Sequence, residues 1–579
     1  MSPSISLVSD KNGEQDIDTM PEVHLRPARS PVKSFILVLT CTFAMIVNSA
    51  NNTAVAISLS TIGRSLHIQE VQLQWLISAY PLSSGCLLLV FGRLADLHGR
   101  KRTFMVGSSC LAAFTLGCGF ANDVVALDIL RGFQGIGAAA TIPASLGILA
   151  HAFPPSRARS VAFASFAAGA PLGAAFGMAV GGALTQTTAQ TWRSSFYLEA
   201  GLTVLCLVGG IISFDPDCPS TEPDRRVDWL GALLVTAGLV LIVFVLGQGE
   251  IAPDGWKTPY IIGSLITGIL LLVLFVLWQS RLEKIHDQEQ DQSLLRQEHK
   301  CDSKDDVQTP TVAGTPAPAS RSWLSPPPLM KVSLWRRAKG RFAVMMCIAF
   351  LTWCSFLSWC FWAQLYYQSY IGLSPLRTFV RLMPMFVSGI VCNMLVAAFV
   401  GYISVLYLIA FGTFGTSLAC LLFALIDPRA PYWAFGFPSA IVAVIGADFV
   451  FAAGTLFIAK IAEPHEQSLA GALFQTMTQL GTSLGVTVTT VIFNRVTSPD
   501  ANAERPPPQP KIESYQAAQW GSFAFGVLAM LLAIVFFRGV GVVGHGKSAL
   551  QREDTEQDQE RTAVSSRSQE KECDGISSS

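Results

Sequence analysis

With 579 residues, 51% of them hydrophobic and only 14% charged, the chain is too apolar for a soluble protein and too long for a simple anchor. Forty basic residues balance 40 acidic ones, so no global field would draw it to nucleic acid, and the sign of each loop matters more than the sum. What remains is a polytopic membrane protein set in a lipid bilayer.

Residues 1–33 carry Pro, Ser and mixed charge without the apolar core of a cleavable signal, so a disordered cytoplasmic tail is expected, with the first span as insertion signal. Apolar runs of spanning length follow at about 34–57, 73–95, 103–120, 125–150, 161–184, 196–212, 229–246 and 260–279. From 281 to 341 the composition turns to Glu, Gln, Asp and Lys, then to Pro, Ser and Ala, then to a basic cluster. A disordered cytoplasmic linker is the expectation. Six more runs, at about 342–366, 379–400, 402–425, 432–458, 469–493 and 520–537, bring the count to about fourteen, before a polar tail over 538–579 that is also expected to be disordered.

Arg100 to Arg102, Arg157, Arg159, Arg225, Arg226, the Arg336 cluster, Lys460 and Arg538 all fall on one face, which places both termini in the cytoplasm. The 13 cysteines, such as Cys41, Cys86, Cys110, Cys347, Cys392 and Cys420, lie mostly in apolar runs and read as small buried hydrophobes. The 8 histidines are scattered without metal-ligand spacing, and no Gly-x-x-x-x-Gly-Lys-Ser/Thr loop is present. No metal, no cofactor, no enzyme activity and no ATP-driven pump are therefore expected.

Between the second and third runs stands Gly92-Arg93-Leu94-Ala95-Asp96-Leu97-His98-Gly99-Arg100-Lys101-Arg102. Gly99 supplies the positive φ of a tight reversal, Asp96 closes the incoming helix, and the basic residues hold the turn on the cytoplasmic side. This order resembles the signature loop of the major facilitator superfamily of secondary transporters, and the resemblance implies a gating role for Gly92, Asp96, Gly99, Arg100 and Lys101. Leu97 departs from the usual basic residue. The fold implied is an all-α membrane protein of two six-helix halves, here 34–213 and 342–537, with two inserted central helices over 227–280, as in the fourteen-span drug:proton antiporter branch. The second-half counterpart of the loop would lie near Gly401, where the pattern has decayed.

In the fourth run, Leu127-Asp128-Ile129-Leu130-Arg131-Gly132-Phe133-Gln134-Gly135-Ile136-Gly137-Ala138 matches the family pattern Leu-x-x-x-Arg-x-x-Gln-Gly-x-Gly-Ala. Arg131 then resembles the arginine tied to proton coupling, and Asp128, three residues earlier, shares its helix face and is placed to pair with it. A static pair that only locks packing is the alternative. Glu199 and Asp448 are the other carboxyls at membrane depth and join the proton-coupling candidates. In the fifth run, Gly173, Gly177, Gly181 and Gly182 fit the antiporter motif Gly-x-x-x-Gly-Pro-x-x-Gly-Gly, with Met178 in place of its proline and Pro171 earlier. A pliable element and plain small-residue packing are both open readings.

Where the branch carries an acidic residue in the first helix, this chain has Asn51, which cannot titrate. Asn51-Asn52-Thr53 is also a glycosylation sequon, inside a helix. Polar groups placed to contact cargo are Asn51 and Gln134, with Gln475 and Gln479 on one face of the thirteenth run. Trp359, from an aromatic-rich ninth run, lines an apolar cavity or packs against lipid.

The resemblance implies a monomeric exporter of a small organic molecule in the plasma or vacuolar membrane, working by alternating access in exchange for protons. The most similar members are fungal: aminotriazole-resistance proteins, borate and ammonium carriers, and exporters of secondary metabolites or glycolipids. A facilitator or importer of a small inorganic or nitrogenous solute is the alternative, favoured by Asn51 and Met178.

Overall fold

The computed structural model describes residues 30–67, 73–153, 157–217, 226–249, 252, 254–302, 326–399, 402–461, 467–497 and 511–539. Residues 1–29, 303–325 and 540–579 of the expected tails and linker, and Gly401, lie outside them. Fourteen α-helices and no strand are found among the described residues. The first six are α1 (Pro31–Ser65), α2 (Leu73–His98), α3 (Arg100–Phe120), α4 (Val124–Ala152), α5 (Arg157–Thr187) and α6 (Arg193–Ser213). Next come α7 (Trp229–Gln248) and α8 (Pro259–Asp302). The last six are α9 (Arg341–Leu365), α10 (Pro375–Phe399), α11 (Val405–Ala424), α12 (Gly436–Ile461), α13 (Gln467–Thr497) and α14 (Ile512–Phe536).

Starts are set by local chemistry. Ser30 accepts a bond from the Lys33 amide ahead of Pro31, and Asp123 accepts one from Ala126 at the head of α4. Gly340, at φ 79°, turns the chain into α9. Inside the helices, hydroxyls that face no water donate to the carbonyl four residues back, as Thr115 does to Leu111 at 2.6 Å and Thr185 to Gly181 at 2.7 Å.

Among the described residues, thirteen helices are long and apolar enough to span a membrane by themselves. The exception is α13, whose Thr478, Thr482, Ser483, Thr487, Thr489 and Thr490 are buried, because α2, α9 and α14 pack around it and spare it contact with lipid. Several helices outrun their hydropathy. α1 continues past Ile57 to Ser65 because Ser58 and Ser60 are buried on Thr185 and Gln368, and α14 starts at Ile512 because Ser514, Tyr515 and Gln519 are buried.

Packing repeats between the halves although the sequence motif does not. In the first half α1 packs on α5 and α6, α3 on α4 and α6, and α2 on α4. In the second, α9 packs on α13 and α14, α11 on α12 and α14, and α10 on α12. The exchange extends to the interface, where α2 meets α13 and α5 meets α10. This is the two-fold relation of two six-helix units about an axis along the membrane normal. The pair α7 and α8 packs on itself and, through α7, in the crease between α2 and α13.

The stretch expected to be a disordered linker differs. α8 runs on past Gln279 to Asp302, and residues 326–340 are folded. Polar side chains on both sides of the expected boundary are anchors: Asp228 accepts bonds from the Gly231 amide, the Trp278 indole and Gln279, and Gln279 accepts one from the Met330 amide. Glu283 accepts from the Val332 amide at 2.9 Å, the Ser333 amide and the Ser333 hydroxyl. Leu334 and Met330 then sit in one apolar cluster with Phe275, Phe342 and Met346, so this strap ties α8 to the start of α9.

Glu283→Ala would remove the acceptor of the part-buried Val332 and Ser333 amides, at about 1 kcal/mol for each lost bond. The expected outcome is faster tryptic cleavage at Lys331 and Arg336 with the rest of the protein still resistant, read by limited proteolysis in detergent.

Candidate functional site

Arg131 is fully buried in the middle of the first half. Its Nε donates to the Leu76 carbonyl on α2 at 3.0 Å, Nη1 to the Asn51 carbonyl on α1 at 3.1 Å and to Gln134 Oε1 at 3.0 Å, and Nη2 to Asn52 Oδ1 at 3.1 Å. The guanidinium also lies 4.8 Å from the centre of the Tyr80 ring. Every one of these acceptors is neutral. Arg131 therefore ties α1, α2 and α4 together through dipoles, with no carboxylate hydrogen-bonded to it among the described residues.

Around it the amides close a second ring of bonds. Gln134 Nε2 donates to Thr115 Oγ1 on α3 at 2.7 Å and to Asn51 Oδ1 at 3.3 Å, and Asn51 Nδ2 donates to the Val47 carbonyl at 3.0 Å. Asn51 and Gln134 are both fully buried, so the sequon asparagine has no access to a glycosylating enzyme. The paired arrangement expected for Asp128 is absent: the guanidinium turns to α1 and α2, and Asp128 Oδ1 has no hydrogen-bond partner. Glu199 Oε2 and Asp448 Oδ2 also lack one. Asp448 lies on α12 against Gly389 of α10, in the other half.

The glycines of α5 meet α1 backbone to backbone. A Cβ added at Gly169 would stand 2.8 Å from the Thr42 carbonyl, at Gly177 2.6 Å from that of Ala50, and at Gly181 2.9 Å from Ala54 Cβ; at Gly173 it would overlap the Ile46 carbonyl. Gly182 faces Pro375 and Leu376 of α10. Met178 is buried in the core that both halves share, and Ser49 donates to the Ala170 carbonyl beside Pro171 at 2.8 Å.

At the signature loop Gly99 has φ 108° and a Cβ there would overlap the Asp217 carboxylate. α2 runs on to His98, and Asp96 pairs with Arg100 at 2.9 Å rather than ending the helix. Arg100 also donates to the Gly147 carbonyl on α4, and Lys101 Nζ to the Phe214 carbonyl at 2.7 Å. Gly92 has room for a side chain, with Pro143 as its neighbour at 3.8 Å. Asp217, unforeseen in the sequence, accepts from the Lys101 and Arg102 amides at 2.8 and 2.9 Å and caps α3. Its signal was an acidic residue just past the sixth run.

Trp359 does not pack against lipid: it is fully buried within the second half, donates to Ser439 Oγ at 2.9 Å and meets Phe423 edge-on. Gln475 and Gln479 are half-buried on α13, the second beside Gly85 of α2.

The halves are joined at the end opposite the signature loop. There α9 ends in a π-helical turn, Tyr366–Tyr370, from which buried Gln368 accepts a bond from Ser60 Oγ at 2.6 Å and donates to the Ile57 carbonyl at 2.8 Å. One apolar cluster spans the two halves at this end, from Ile57, Ile62 and Met178 to Phe361, Trp362 and Tyr367. Asp96, Arg100 and Lys101 by contrast bond within their own half.

The family model described as Major Facilitator Superfamily matches residues 41–229 and 219–486. MFS-type transporter 1 of Pyricularia oryzae is 25% identical, over 89% of this chain and 85% of that protein. The major facilitator superfamily multidrug transporter mdr3 of Aspergillus fumigatus is 26% identical over 87% and 79%. A low affinity ammonium transporter of Saccharomyces cerevisiae is 26% identical over 73% and 74%.

Arg131→Lys keeps the charge but cannot reach three helices at once, and is expected to lower transport by more than about tenfold in proteoliposomes while the folded protein is still recovered. Gln368→Ala removes two bonds of about 1 kcal/mol each, so a cysteine placed at Thr61 should react with maleimide roughly ten- to thirtyfold faster in the purified protein.

Proposed function

The chain belongs to the major facilitator superfamily, and from that premise we propose that it exports a small organic molecule by alternating access in exchange for protons. It is a multi-pass membrane transporter and not an enzyme. The observation that carries the finer reading is the bonding of Arg131, a fully buried cation with only neutral partners and an unbonded carboxyl, Asp128, one turn away on the same helix.

Two arrangements follow from that geometry. With Asp128 protonated, Arg131 falls back on the Leu76 and Asn51 carbonyls and on Asn52, clamping α1 and α2 to α4. With Asp128 ionised, a charge-assisted pair competes for the guanidinium and loosens that clamp. A proton thereby biases how α1 sits, and α1 carries Ile57 and Ser60, which meet Gln368 of the other half. Protonation at one end of the network is thus coupled to the closure between halves. Of the three carboxyls, Asp128 alone shares a helix face with Arg131, so we assign the proton to it.

The multidrug relative supports an amphipathic organic cargo, and Gln475 and Gln479, half-buried where α13 passes α2, are the polar contacts for it. We place the protein in the plasma membrane as a monomer with both termini cytoplasmic. A second reading, a facilitator of a small nitrogenous or inorganic solute, is favoured by Asn51, which stands neutral where the antiporter branch has an acid, and by the ammonium transporter among the relatives.

The test is efflux from proteoliposomes loaded in turn with amphipathic metabolites, azoles, ammonium and borate, with and without an imposed proton gradient, for the unaltered chain and Asp128→Asn. Efflux of an organic molecule that collapses without the gradient and in the variant is expected. Transport indifferent to both would overturn the antiport reading.

A further inference from the structure

Outside the interface between the halves, α1, α5 and α6 enclose a cavity of about 320 Å³. Its walls include Phe43 and Ile46 of α1, Leu172 and Phe176 of α5, and Leu202 of α6, and the polar residue among those lining it is Glu199. Leu172 is 51% exposed and Phe176 37%, so the mouth opens on the outer surface of the bundle, which faces hydrocarbon. Glu199 is 3% exposed, and its Oε2 has no hydrogen-bond partner. The guanidinium of Arg131 spends its hydrogen bonds on Leu76, Asn51, Asn52 and Gln134 and makes none to Glu199.

The contents of the cleft follow from what it lacks. A lipid acyl chain fills the apolar volume but leaves the carboxyl bare, and an unanswered carboxyl at this depth is costly. An anionic amphiphile brings a like charge. A lipophilic amine in its ammonium form brings an apolar body, a positive charge and a donor together, and completes all three deficits. The volume is at the small end of ligand pockets, enough for a single ring system or a short alkyl chain.

We propose that this lateral cleft is a binding site for lipophilic ammonium compounds entering from the bilayer, with the ammonium on Glu199 and the apolar body between Phe43, Leu172 and Phe176. The proposal depends neither on the direction of transport nor on Asp128.

The experiment uses the full-length protein in lipid nanodiscs with a decylamine carrying a terminal diazirine, and its N-acetyl counterpart as the neutral probe. After photolysis, adducts are mapped by mass spectrometry across a concentration series. The expected result is saturable labelling of α1 and α5 around Phe43 and Leu172, with the amine half-saturating at a concentration lower by at least about tenfold than the amide. Glu199→Gln should erase that difference, and Leu172→Trp, which fills the mouth, should lower labelling by both probes. Equal labelling by amine and amide would show a cleft occupied by acyl chains and would overturn the proposal. So would adducts confined to other helices, or an amine preference that survives Glu199→Gln. Leu172→Trp keeps the proposal falsifiable should Glu199→Gln fail to fold, because amine labelling that persists with the mouth filled also rules the cleft out.

Discussion

A guanidinium taken out of water in the middle of a bilayer must have all its donors met, and that constraint shapes the first half of this protein. Arg131 reaches carbonyls or side-chain oxygens on α1, α2 and α4, so those helices have to converge on one point. Two of the acceptors, at Leu76 and Asn51, are backbone carbonyls inside helices that already bond to their own amides. Carbonyls have two lone pairs, and the second is what a buried arginine can use without breaking a helix. Asn51, Gln134 and Thr115 extend the bonding to α3, so four helices share a polar knot free of any carboxylate.

The knot requires close helices, and the glycines of α5 supply the closeness from the other side. Four of them, spaced by four residues from Gly169 to Gly181, admit the α1 backbone to within the reach of a missing methyl group. The second half repeats the device, where Gly481 and Gly485 of α13 admit Phe350 and Cys354 of α9. Small residues are the means by which helices associate in lipid, where burying apolar surface gains little. The packing repeat is thus kept by glycine spacing after the loop motif has decayed.

Much of this was legible in the sequence. Fourteen helices followed from apolar runs, and Arg131, Gln134 and the α5 glycines from matched motifs, because intramembrane charge and close backbone approach restrict residue choice strongly. Partners were less legible. Asp128 was the obvious counter-ion by spacing, yet the structure gives Arg131 to backbone carbonyls, which carry no sequence signature. Gln368 sits in no motif, and its bonds depend on a π-helical turn that offsets α9 by one residue. The strap over 326–340 was hidden by composition: Glu283 reads as linker polarity and Gln279 as the end of a span, and only their position under Val332 and Met330 reveals them as acceptors. Trp359 illustrates the reverse limit, since an aromatic residue in a transporter helix looks alike whether it faces cargo or Ser439.

The two halves share a packing plan but differ in what holds it. In the second half, Trp359 and Trp362 donate to Ser439 and Thr489, and a run of edge-on and stacked rings joins Trp362, Phe493, Tyr515 and Tyr366. Rings locked by both shape and hydrogen bonds resist rearrangement. Both halves carry a glycine seam, but the first half adds a buried arginine whose bonds all go to neutral partners, with unpartnered carboxyl oxygens on Asp128 and Glu199. Shape-locked rings store no alternative of similar energy, whereas a cation that can choose between dipoles and a carboxylate does. For the alternating access proposed above, the bonding therefore points to a change of state within α1 and α4, with the ring-locked second half as the frame it moves against.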